Sequence, residues 1–160
     1  MLLFIVTLQS PEVCKDWEQV SRICVRTLRS LCQQTVEAYQ IYIVCNQAPA
    51  EIFRYPNLQV LEVDLPVPNI NVREECLHDK FRKLAYGLAE ARTHAPAYIM
   101  PVDMDDLVRR DLAAYVARQP ACHGWVMHKG FIYDEGAPLA YLTRNKLNAL
   151  CGTSYIVHSE

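Results

Sequence analysis

Asp103-Met104-Asp105-Asp106 follows the apolar run Ala97-Tyr98-Ile99-Met100-Pro101-Val102. Three carboxylates crowded at the end of a buried strand repel one another, so the arrangement calls for a cation or strong hydrogen-bond donors. Asp103 and Asp105, two positions apart, project from one side of an extended backbone, and a turn just past the strand brings their oxygens around one ion. Hard oxygen ligands at this density suit Mg2+ or Mn2+, which keep water in their shell and bridge to phosphate oxygens. Asp103 and Asp105 are therefore the candidate metal ligands, and a diphosphate-bearing ligand is implied. The plainer alternative is a solvated acidic turn, with Asp106 and Asp111 as helix caps.

In an open α/β sheet, ligands gather beyond the carboxyl ends of the strands. Four segments point to that edge: Thr7-Leu8-Gln9 after a first strand, Cys45-Asn46 after a second, the loop Leu65-Pro66-Val67-Pro68-Asn69-Ile70-Asn71, and the acidic tetrad. Lys80, Lys83 and Gly87 share a helical face, which offers charge to a phosphate beside a position that permits close backbone approach. An ordinary wet face is the competing reading of those three. Arg22, Arg26 and Arg29 have the spacing of any exposed helix face. The five histidines form no cluster and no Ser-His-Asp or Cys-His arrangement can be assembled, which leaves His128 and His158 as possible extra metal or phosphate contacts. Asp134-Glu135-Gly136 reads as a turn, with a catalytic base as the alternative.

Positioning these groups falls to a pattern of strand, helix, strand, strand and then a second helix and strand, which suggests a mostly parallel α/β sheet with crossovers. Leu2 to Val6 is a short apolar strand. A helix from Asp16 carries Trp17, Val20, Cys24, Leu28 and Leu31 on one face, and strands follow at 41–44 and 58–63. The second helix, 78–92, is amphipathic, with Phe81, Leu84, Ala85 and Leu88 on its apolar face and Lys80, Lys83 and Gly87 on another. Residues 97–102 form a strand buried on both faces, with Pro101 marking where pairing stops. A helix at 110–118 ends before Pro120, a strand at 124–127 precedes the 134–136 turn, and the last apolar run is 153–157.

With 160 residues and 51% hydrophobic content the chain suits one self-sufficient domain. A net charge of -2 and a pI near 6.2 give no general attraction to nucleic acid or anionic membrane, so any anion site is local. Seven scattered cysteines, never Cys-x-x-Cys, read as reduced core residues of a cytoplasmic protein. Cys122, His123, His128, Cys151 and His158 match no compact zinc knuckle. The opening Met1-Leu2-Leu3-Phe4-Ile5-Val6 lacks a basic lead-in and falls far short of the roughly 20 apolar residues of a membrane span, so it reads as a strand, and no integral membrane segment is expected.

These residues resemble a family. Gly87-Leu88-Ala89-Glu90-Ala91 ahead of the strand and Asp103-Met104-Asp105 resembles the nucleotide-sugar glycosyltransferases of the GT-A fold, especially the family 2-like group, whose signature is a Gly-Leu-x-x-Ala helix, a hydrophobic strand and a DxD motif. Phe4-Ile5-Val6-Thr7, Leu28-Arg29-Ser30-Leu31-Cys32-Gln33-Gln34 and Tyr42-Ile43-Val44-Cys45-Asn46 extend the likeness, which covers residues 2–112. The resemblance implies a Rossmann-like three-layer sandwich, a nucleotide-sugar-binding half at 1–112 and a partial acceptor-side half at 113–160. It also implies a donor site in which Thr7 and Asn46 border the base, Gln9 adjoins them, Asp103 lies near ribose and metal, and Asp105 is the principal ligand of Mn2+ or Mg2+. Lys80 or Lys83 would meet the phosphates. The implied activity is metal-dependent glycosyl transfer from a nucleotide-diphosphate sugar to an unspecified acceptor. A degenerate domain that binds a nucleotide sugar or a partner without catalysis stays open beside it. A haloacid-dehalogenase-type phosphatase would carry its Asp-x-Asp after the first strand, and a nucleotidyltransferase would need a Gly-rich loop where Thr7-Leu8-Gln9-Ser10 has none.

Overall fold

The computed structural model describes residues 1–159. Four parallel strands make up most of the central sheet: β1 (Leu2–Thr7), β2 (Tyr39–Cys45), β3 (Leu58–Glu62) and β4 (Tyr98–Asp103). β8 (Tyr155–His158) runs antiparallel beside β4, and β5 (Gly124–Val126) runs antiparallel beside β8, giving the order β3-β2-β1-β4-β8-β5. β6 (Gly130–Tyr133) and β7 (Ala140–Thr143) form a separate hairpin around the expected turn, where Gly136 has φ 83°. The helices are α1 (Trp17–Cys32), α2 (Arg73–Ala91), α3 (Leu112–Arg118) and the single turn α4 (Leu147–Leu150).

The continuous apolar run of β1 is what a central strand covered on both faces requires. Leu2, Phe4 and Val6 face one core with Cys24, Leu28 and Leu31 of α1 and Ala113 and Val116 of α3. Leu3 and Ile5 face the other, with Tyr42, Val44, Ile99 and Ala91 of α2. Layers of helix, sheet and helix result. The Asp16 side chain starts α1 by accepting from the Gln19 amide at 2.9 Å. Asp111 precedes α3 without capping it, because its carboxylate is bonded to Arg109 instead.

Two expectations are corrected. Pro101 does not end β4: it lies in register with Ile5, and pairing with β1 runs on to Asp103. Its missing amide matters only on the β8 side, where pairing covers Tyr98 and Ile99 alone. Two residues further, and on that same side, the Asp103 amide donates to Thr153 Oγ1 at 2.7 Å.

The larger correction concerns α2, which begins five residues before the apolar periodicity does and turns the other face inward. Asp79, Lys83, Gly87 and Ala91, spaced by four, form the buried stripe. Phe81 is 59% exposed and Leu88 37%, Ala85 is exposed, and Leu84 is only partly covered. Close packing explains the choice. A Cβ on Gly87 would lie 2.9 Å from Ile5 Cγ2 and 3.2 Å from Val44 Cγ2, so the helix sits against the sheet at a distance only glycine permits. A bulky stripe of Phe81 and Leu88 would hold it off.

Candidate functional site

The carboxyl ends of β1 and β4, the N-terminal half of α2 and the 65–71 loop enclose a cavity of about 220 Å³. Thr7, Leu8 and Gln9 enter it because β1 stops there. Pro68 and Ile70 come from the loop, and Asp103, Met104 and Asp105 from the end of β4. The reversed face of α2 supplies Asp79, Lys80 and Lys83. Thr7, Gln9, Lys80, Lys83, Asp103 and Asp105 are thus brought together. Asn46 stays outside the cavity: its Nδ2 donates to the Leu65 carbonyl at 2.8 Å, and its Oδ1 is buried without a partner. Asn46 therefore holds the start of the loop.

The two lysines behave differently. Lys83 is fully buried, and its Nζ donates to Asp79 Oδ2 at 2.7 Å and to the Leu8 carbonyl at 2.9 Å. This ammonium ties α2 to the chain leaving β1, while Asp79 Oδ1 is buried with no hydrogen-bond partner. Sequence reasoning missed Asp79, although Asp79 and Lys83 have the i, i+4 spacing of a helical ion pair. Lys80, one helical turn earlier, is 38% exposed at its side chain, and its Nζ donates to Asp103 Oδ1.

The acidic tetrad divides into three environments. Asp103 is held at its amide by Thr153 and at its carboxylate by Lys80, and Gly152 packs against that pair. Asp105 stands in the cavity wall with no ion pair among the described residues. Desolvation, then the charges of Asp106 and Asp103, push its pKa above the usual carboxylate value, opposed by a backbone hydrogen bond and by Lys80. Asp106 accepts from Cys151 Sγ at 3.0 Å, and burial followed by this carboxylate pushes the Cys151 thiol up to about 11, so it remains a protonated donor. Gly152-Thr153-Ser154 is thus the second segment of the site: its glycine and its hydroxyl both contact Asp103.

The remaining candidates lie elsewhere. Glu135, in the β6–β7 turn, accepts from Arg26 Nη1 on α1 at 3.0 Å. His128 Nδ1 lies 3.0 Å from Asn148 Oδ1 on the surface. His158 pairs with Tyr98, the first residue of β4, at the opposite end of that strand from Asp103. Among the described residues no three His, Cys, Asp or Glu side chains form a metal cage. A cation here would rest on the two carboxylates Asp103 and Asp105, completed by phosphate oxygens and water, the manner of binding typical of Mg2+.

No family model matches the sequence, and no curated protein matches it. Solved structures do. TarS 1–349 from S. aureus superposes over 99% of this chain and 47% of its own, with a TM-score of 0.51 and 10% identity. S. aureus TarS in a second structure gives a TM-score of 0.53 at 12% identity, over 99% of this chain and 28% of that one. TarS 1–349 in complex with UDP-GlcNAc gives 0.51 and 12%, over 99% and 45%. The chain shares with them a Rossmann-like α/β fold, a mostly parallel six-stranded sheet between helices. It spans less than half the length of these structures, and at this identity the likeness is one of fold. Among the described residues no helix is long and apolar enough to cross a membrane.

Proposed function

We propose that the chain binds a nucleotide-diphosphate sugar in the cavity at the carboxyl edge of its sheet and transfers the sugar, as a family 2-like GT-A glycosyltransferase with Mn2+ or Mg2+ held by Asp103 and Asp105. The observation that carries this reading is the gathering of Thr7, Gln9, Lys80, Lys83, Asp103 and Asp105 around one cavity. The fold is similar to one solved with UDP-GlcNAc bound, which supports the choice of ligand class.

The electrostatics support the cation. Two lysines and three aspartates line the cavity, so it carries a net charge of -1, and both lysines are paired with aspartates. A diphosphate entering alone would meet repulsion. Burial first, and then the charges of Asp106 and Asp103, disfavour an ionised Asp105, and a divalent ion across Asp103 and Asp105 would offset both. When bound, that ion would supply neutralisation of the departing nucleoside diphosphate. The chain's own residues then do the positioning. Lys83, anchored on the Leu8 carbonyl, fixes the segment carrying Thr7 and Gln9 toward base and ribose, and Lys80 stands beside Asp103 where phosphate oxygens would lie.

The test is calorimetric titration of UDP and GDP with and without Mn2+, in wild type and in Asp105→Ala. Mn2+-dependent binding that the variant loses is expected; no binding of either nucleotide under any condition sinks the reading. Binding of the nucleotide sugar without its transfer is the second reading. Release of nucleoside diphosphate from a panel of UDP- and GDP-sugars separates the two.

A further inference from the structure

Asp103 has little freedom. Its amide is bonded to Thr153 Oγ1, Lys80 Nζ donates to its Oδ1, and a Cβ on Gly152 would lie 2.9 Å from its Oδ2 and 3.3 Å from the Lys80 nitrogen. One carboxylate oxygen is held by the ammonium, and the other faces Gly152, where the missing Cβ leaves it room. A cation that takes Oδ1 therefore has to displace the Lys80 ammonium from it. Lys80 is built to move, since its side chain is 38% exposed and makes this one ion pair. Lys83 is not, being fully buried with both an aspartate and a carbonyl as acceptors.

We propose that Lys80 is a built-in counter-ion: it competes with a divalent cation for Asp103 and, when displaced, becomes a ligand of the diphosphate, so that cation and nucleotide each strengthen the other's binding. The inference rests on reading this cavity as a nucleotide-diphosphate site. An ammonium and a dication repel each other across one carboxylate, so the cation binds weakly while Lys80 remains on Asp103. The nucleotide binds weakly for the matching reason, because Lys80 is already neutralised and the cavity is net negative. With both present, Lys80 exchanges a carboxylate oxygen for a phosphate oxygen and keeps a charge-assisted hydrogen bond throughout. Coupling of this kind is reciprocal: whatever factor Mn2+ adds to nucleotide affinity, the nucleotide adds to Mn2+ affinity. A lysine that merely braces α2 against β4 would produce no such coupling.

The experiment measures Mn2+ binding by electron paramagnetic resonance of the free ion, and UDP binding by calorimetry, in wild type, Lys80→Met and Lys80→Gln. Circular dichroism confirms folding, and the use of two variants guards against one failing to fold. Without nucleotide, the variants are expected to bind Mn2+ several-fold more tightly than wild type, because the competitor is gone. At saturating Mn2+ they are expected to bind UDP about tenfold more weakly, the loss of one hydrogen bond to a charged group. Mn2+ affinity unchanged or lowered in both variants overturns the inference, as does failure of Mn2+ to bind any of the three proteins. If wild type binds Mn2+ but no nucleotide, the reading of the cavity fails, and the diphosphate half of the proposal is overturned with it. Competition for Asp103 is still decided by the Mn2+ titrations alone.

Discussion

Lys83→Met is the sharpest test of the reversed face of α2. Methionine keeps most of the side chain's length and volume and removes only the charge and its donors. In the folded chain the Lys83 ammonium is wholly buried, 2.7 Å from Asp79 Oδ2 and 2.9 Å from the Leu8 carbonyl. Without it, Asp79, 7% exposed and already lacking a partner at Oδ1, has no partner at either oxygen, and the Leu8 carbonyl loses its donor. Removing one member of a buried ion pair costs about 3–5 kcal/mol, because the other charge stays buried and uncompensated. A domain of this size shifts its Tm by about 2–4 °C per kcal/mol, so a fall of about 6–20 °C is expected. Such a loss is a large share of the about 5–15 kcal/mol that holds a typical domain together. Differential scanning calorimetry and urea unfolding followed by circular dichroism measure it. Asp79→Leu combined with Lys83→Met removes both charges and should recover more than half of the loss. A Tm for Lys83→Met within 3 °C of wild type, or a double variant no more stable than the single one, would refute the reasoning.

Other consequences are equally direct. Gly87→Val should destabilise by about 3 kcal/mol or more through overpacking against Ile5 and Val44, whereas Phe81→Ser, on the exposed face, should cost no more than about 1 kcal/mol; equal losses in urea unfolding would contradict the assigned orientation of α2. Because the Asp105 pKa is raised on folding, the folded chain holds that proton more tightly than the unfolded chain, and ionisation of Asp105 lowers stability as pH rises through and above the usual carboxylate range. Asp105→Asn should therefore raise Tm at pH 7 and leave it unchanged near pH 3, and a lower Tm at pH 7 would contradict the unfavourable burial and charge repulsion assigned to Asp105. Burial holds the Cys24 and Cys45 thiols at about 12, so in native protein at pH 8 the exposed Cys122 should react with a maleimide while these two stay unlabelled until urea is added. Mass spectrometry of the labelled peptides reads the difference.

What the sequence made legible follows from which forces leave a local mark. β1, β2 and β4 are continuous apolar runs covered on both faces, and burial on that scale is visible residue by residue. The acidic tetrad was legible for the opposite reason: three carboxylates after such a run conflict with burial, and a conflict of that kind marks a site. Pro101 was half legible. Its missing donor predicts an interruption, but which of two neighbouring strands feels it depends on the register of β8, more than fifty residues later in the chain. Gly152-Thr153-Ser154 offered only a loose resemblance, and nothing local showed that Gly152 and Thr153 reach Asp103. Their role exists only once the antiparallel return of β8 lays them across the end of β4.

α2 marks the limit of periodicity as a guide. Counting apolar residues assumes that the buried face is the greasy one, and this holds where large side chains separate a helix from its sheet. At Gly87 the helix comes closer, so size outranks hydrophobicity in choosing the stripe that faces the sheet. Further toward its N-terminus the same stripe passes the open end of β1, where the Leu8 carbonyl needs a donor, and a buried lysine with its own aspartate meets that need. Close approach and the buried ion pair are thus one decision. Turning the helix to bury Phe81 and Leu88 would move Lys83 off Leu8 and Lys80 off Asp103 together, dismantling the cavity wall. The exposed apolar face of α2 follows from placing two lysines at the carboxyl edge of the sheet, beside the carboxylates that any cation or phosphate there would have to meet.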